Sequence, residues 1–113
     1  MVTDNRDMNA IRTIEMTVTP ETDVPRLREI FLAILEDGRE NEWLLGEAEL
    51  AGVHVTGVGL YGKQLMFKVP TTDPNTAWDI VCDVRERLID EIVQLEAAGD
   101  AAIFPALPPV DPA

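Results

Sequence analysis

Residues 74–98 form the longest stretch of the chain in which apolar side chains recur at helical spacing. Ala77, Val81, Val84, Leu88, Ile92 and Leu95 follow one another at steps of three and four, which places them on one helix face. Asp73 stands where an N-cap belongs and Pro74 where the first helical residue belongs. Gly99 follows the last periodic residues, as a C′ glycine does. At 1.5 Å per residue such a helix is roughly 36 Å long, and a small domain must build its core against it. Trp78, Cys82, Ile89 and Val93 lie off this stripe and widen the apolar arc, either as extra core or as a second contact surface.

Upstream, residues 10–19 alternate, with Ile14, Met16 and Val18 pointing one way and Thr13, Glu15 and Thr17 the other, which predicts a half-buried strand. Pro20 breaks it. Thr22 or Asp23 caps a following helix with Pro25 in its first turn, and Leu27, Ile30, Phe31, Ile34 and Leu35 make its buried stripe. Gly38 is expected to close that helix. Residues 39–50 mix four glutamates with Trp43, Leu44 and Leu45. They suggest a short helical turn that tucks Trp43 or Leu44 under the core, or else an exposed apolar knob. Val53 and Val55 alternate with His54 and Thr56 in a second strand, where Gly57 and Gly59 suggest a bulge or a close backbone approach. Gly62 is expected to take positive φ in a hairpin turn. The third strand, residues 64–69, turns Leu65, Phe67 and Val69 inward, and Pro70 should end it.

The order β-α-β-β-α, with residues 101–104 as a possible last strand, argues for an α+β domain. Its expected form is a ferredoxin-like, split βαβ arrangement: an antiparallel sheet with two helices on one face. The boundaries read as a flexible leader at 1–9, one domain at 10–104 and a proline-rich tail at 105–113. The face away from the helices should carry Thr13, Glu15, Thr17, His54, Thr56, Met66 and Lys68, a mostly polar set.

Charge narrows the partners. Twenty-one acidic residues oppose nine basic ones, for a formal net charge of −12. Such a surface repels phosphate backbones and anionic lipid, so nucleic acid and membrane surfaces are disfavoured as partners. No apolar run approaches the ~20 residues of a membrane span, and the polar N-terminus lacks the apolar core of a signal peptide. With one cysteine among 113 residues, the expectation is a cytoplasmic protein.

Candidate chemistry is sparse. His54 is the only histidine, and no cysteine or second histidine stands at ligand spacing from it, so an exposed strand residue is the reading and no metal is expected. Cys82 needs a base and a lowered pKa to act as a nucleophile, and reads more simply as a small apolar residue on a helix flank. The carboxylate pairs Asp79 with Asp83, Asp90 with Glu91 and Glu40 with Glu42 sit in charge-dense positions, without the apolar pocket that acid–base work requires. Asp83 and Arg87 are spaced for an i,i+4 ion pair. Residues 57–62 spell G-x-G-x-x-G but lead into a strand, where a phosphate cradle needs a helix. The sequence contains no serine, which removes a Ser-His-Asp set. No catalytic residue and no cofactor is therefore expected.

Three places together resemble a known family. They are residues 11–35, with a strand, Thr22-Asp23 and a helix containing Leu27-Arg28-Glu29-Ile30; residues 53–69, with a Val-rich strand, a glycine-containing turn and Leu65-Met66-Phe67-Lys68-Val69; and the long helix followed by a glycine and Ile103-Phe104-Pro105. This pattern is similar to the C-terminal cytoplasmic domain of small-conductance mechanosensitive channels. The pore helix and β domain that precede the module in that family are absent, so the resemblance implies a free-standing module that is not itself a channel. It also implies that Ile103 and Phe104 contribute to self-association. The cytoplasmic domain of cation-diffusion transporters shares the hairpin and helix, though its metal ligands are lacking here, and ACT-type ligand-binding modules share the element order.

Taken together, the sequence predicts a non-catalytic oligomerisation or protein-interaction module, with Trp78, Cys82, Ile89, Val93, Ile103 and Phe104 as the candidate interface. The alternative is a small-ligand-binding regulatory domain of the ACT type, with its ligand at the glycine-containing hairpin.

Overall fold

In the computed structural model, residues 10–60, 62–99 and 103–104 are described. The elements run β1 (Ala10–Val18), α1 (Val24–Glu40), a single 3-10 turn (Ala48–Leu50), β2 (Gly52–Gly59), β3 (Gly62–Thr71) and α2 (Pro74–Ala97). The leader at 1–9 and the tail at 105–113 lie outside the described residues. The architecture is α+β: a three-stranded antiparallel sheet in the order β1-β3-β2, with two helices.

Side-chain alternation sets the layers. Ile14, Val18, Val53, Leu65, Phe67 and Val69 are buried, and residues from both helices join them in one cluster. Phe31 of α1 meets Phe67 of β3 edge to face, with ring centroids 5.3 Å apart, the geometry the ring quadrupoles favour. The α2 stripe buries Ala77, Val81, Val84, Leu88 and Ile92, and Ile80 with them; Leu95 is half-buried. On the opposite sheet face Thr13, Glu15, Thr17, His54, Thr56 and Gln64 are exposed, while Met66 and Lys68 are half-exposed.

Both helices start as their sequences require. The Asp23 side chain accepts the Arg26 N–H and that of Asp73 accepts the Asn75 N–H, with a proline in each first turn. Their C-termini differ. In α2, Gly99 takes φ 78° at C′ and its N–H bonds the Glu96 carbonyl. Helix α1 does not stop at Gly38 but continues to Glu40. There Glu42 takes the left-handed conformation at φ 65°, its N–H bonds the Arg39 carbonyl, and the Trp43 N–H bonds the Gly38 carbonyl at 2.9 Å. These are the two bonds of a Schellman motif, built without a glycine at C′. Gly38 serves a different need: a Cβ there would overlap the Trp43 ring.

Two other expectations change. Gly62 is the first residue of β3, paired with Gly59, and the positive-φ glycine among the described residues is Gly99. A Cβ on Gly62 would run into the Val18 carbonyl, so close backbone approach is what excludes a side chain. Pro70 does not end the third strand, which continues to Thr71. Its carbonyl accepts the Gly46 N–H at 2.9 Å, so the missing proline N–H faces the 44–46 segment and leaves the β1–β3 ladder intact. The bulge expected near Gly57 is present as a register shift between Val55 and Gly57.

Candidate interaction surface

The flank of α2 that carries Trp78, Cys82, Arg85, Ile89 and Val93 follows steps of three and four beside the buried stripe. Trp78 is 69% exposed and Val93 53%, and Ile89 is exposed as well. Cys82 is a half-buried free thiol. Core packing therefore uses the stripe and leaves this flank uncovered among the described residues.

Beside the flank runs β1. It pairs with β3 on one side and stands at the end of the strand order. At the far end of its other side, just past the strand, the Thr19 N–H donates to the Ile103 carbonyl at 2.7 Å, and the Thr22 hydroxyl donates to the same oxygen at 3.3 Å. Ile103 is only 4% exposed and belongs to the core of its own chain, so it offers no free surface. Phe104, next to it, is exposed. Neither residue is in a strand, and residues 101–102 lie outside the described residues.

Between α2 and β1 lies a cleft of about 460 Å³ lined by Ile11, Arg12, Thr13, Trp78, Val81 and Arg85 among others. Ile11, Arg12 and Arg85 were not legible as site residues. Arg12 and Arg85 are 73 positions apart in sequence, and only the fold brings them to one cleft. Among the described residues neither arginine has an ion-pair or hydrogen-bond partner.

On the opposite side of α2 the second tryptophan is packed, while Leu44 beside it is exposed. Trp43 is half-buried, held between Gly38 and the Arg87 guanidinium, which lies 5.7 Å from its ring centroid. Arg87 pairs with Asp37 of α1 at 2.5 Å rather than with Asp83 along its own helix. Leu45 bridges to Thr71, and the Thr72 N–H bonds the Leu44 carbonyl at 3.1 Å, so the 44–46 segment continues the sheet past the end of β2. A second exposed apolar group sits at the hairpin tip, where Val58 and Leu60 are 81% and 87% exposed.

His54 is exposed on β2. Among the described residues no three His, Cys, Asp or Glu side chains are grouped to hold a metal ion, and no helix is long and apolar enough to cross a membrane. Comparison with known proteins finds no protein-family model and no curated protein that matches the chain.

Proposed function

We propose that this chain is a non-catalytic protein-interaction module of ferredoxin-like arrangement, with two helices on one sheet face, acting by self-association or by binding another protein. The contact surface is the exposed flank of α2 together with the free edge of β1. The strand order β1-β3-β2, with a helix after β1 and another after β3, supports the split βαβ reading. The same order supports the likeness to a mechanosensitive-channel cytoplasmic domain. The observation on which the function rests is Trp78: a large aromatic, 69% exposed, in line with Ile89 and Val93 and beside a sheet edge that is unpaired among the described residues. Contiguous exposed apolar groups of this kind mark interaction sites, and tryptophan is the residue most enriched among binding hot spots.

Light scattering across a concentration series tests the reading, alongside capture with immobilised wild-type and Trp78→Asp protein. The expected result is a mass above the 12.5 kDa of one chain, or a captured partner, in either case lost with Trp78→Asp. A strict monomer at high micromolar concentration that captures nothing overturns it.

A further inference from the structure

We infer that the cleft between α2 and β1 receives an extended, acidic segment of a partner protein, added as a strand to the β1 edge with its carboxylates on Arg12 and Arg85. This rests on the interaction reading above and names its partner. Three observations converge on it.

The first is the edge. Among the described residues β1 is paired on one side alone; such a strand presents a row of backbone donors and acceptors to the other, and an extended peptide satisfies them by strand addition. The Thr19 N–H already takes a backbone carbonyl, that of Ile103, just beyond one end of this edge. The second is length. From Ile11 to Val18 the edge measures about 24 Å at ~3.4 Å per residue. From Trp78 to Val93 the helix flank measures about 22 Å at 1.5 Å per residue. The two are of nearly the same length and meet in the cleft at Ile11, Arg12 and Thr13 on one side and Trp78, Val81 and Arg85 on the other, and the edge has room for about seven extended residues.

The third is charge. In a chain with 21 acidic and nine basic residues, two arginines without partners among the described residues line one cleft. A basic or neutral segment leaves both guanidinium groups unpaired. A carboxylate takes them in charge-assisted hydrogen bonds. Arg12 and Arg85 draw the acidic side chains to the start of β1, and Ile89 and Val93, exposed farther along α2, are left for apolar ones. Nucleic acid would present anions as well, but it has no peptide backbone to pair with a sheet edge in this way.

The test uses fluorescence anisotropy with a labelled, end-blocked peptide of about seven residues, valine-rich with two aspartates at one end. Saturable binding is expected. It should weaken about tenfold or more when asparagine replaces the aspartates, when the protein carries Arg12→Gln with Arg85→Gln, and when alternate peptide nitrogens are methylated. Both arginines are at the surface, and a thermal melt confirms that the double variant is folded. No binding of the acidic peptide, or equal binding of its asparagine counterpart, overturns the proposal. Should that happen while Trp78→Asp still abolishes self-association or partner capture, the surface stands and the acidic occupant is refuted. If Trp78→Asp alters neither, both fail.

Discussion

The two tryptophans occupy opposite sides of α2, and they differ in what the chain does with them. Trp43 is packed by its own chain: Gly38 makes room for its ring, Arg87 lies over it, and Asp37 pairs with Arg87. Around it the 44–46 segment extends the sheet by pairing with the end of β3. Trp78 receives no such treatment. It stands over a cleft where, among the described residues, the edge of β1 is unpaired and the two arginines have no partners. Both tryptophans are equally apolar, so hydrophobicity does not separate them. Among the described residues, the chain packs its own segments against one side and leaves the other uncovered.

Four substitutions probe this contrast, taken from the largest effect to the smallest. Leu88→Ala removes a fully buried side chain from the stripe that both sides share, and should lower unfolding free energy by ~2–5 kcal/mol in chemical denaturation. A loss below ~1 kcal/mol would mean that α2 does not bury the face assigned to it. Gly38→Ala forces a Cβ against the Trp43 ring and should destabilise by ~1–3 kcal/mol, with Trp43 fluorescence shifting to the red as the ring is expelled. An unchanged emission would mean that Trp43 is not packed there. Glu42→Gly relieves a left-handed residue at the α1 C-terminus and should stabilise by ~1 kcal/mol, as read from the denaturation midpoint. Trp78→Ala should change unfolding free energy by no more than ~0.5 kcal/mol while weakening association. A large loss of stability there would return Trp78 to the core and break the comparison.

The two sides were not equally legible in the sequence. Helix α2 was readable almost to the residue, because Asp73, Pro74 and Gly99 each occupy the one terminal position that suits them and the stripe is uninterrupted. The inward residues of β1 and β3 followed from alternation alone, whereas Val55, which alternation puts on the side of Val53, is exposed next to the register shift between Val55 and Gly57. The end of α1 was misread for a physical reason. A glycine near a helix end usually supplies positive φ, but Gly38 is needed for its missing Cβ, and Glu42 takes the positive φ instead. Gly62 misled in the same way. Pro70 was read as a strand stop because the side to which its ring nitrogen faces depends on register, which is a tertiary property. Arg87 found Asp37 across the helix pair because spacing along one helix says nothing about its neighbour.

Of the candidate surface, Trp78, Ile89 and Val93 could be separated from the stripe by helical phase. Whether that flank was core or surface could not be decided without knowing where the sheet ends. Ile103 shows the converse: an apolar residue near a proline-rich stretch looks available, yet its carbonyl is held by Thr19 and Thr22 and its side chain is buried. Arg12 and Arg85 gave no local signal, since an isolated arginine on a strand or helix is ordinary until the fold places two in one cleft.

The most direct test follows the two indole N–H signals by NMR in nitrogen-labelled protein, first over rising protein concentration and then with the aspartate-bearing peptide. Each tryptophan gives one such signal, and Trp78→Phe assigns the pair. The Trp78 signal should shift or broaden in a saturable way in at least one of the two titrations, while the Trp43 signal stays in place. A shift of Trp43 with Trp78 unmoved, or no shift of either in both titrations, would contradict the assignment of the α2–β1 side as the surface through which this protein acts.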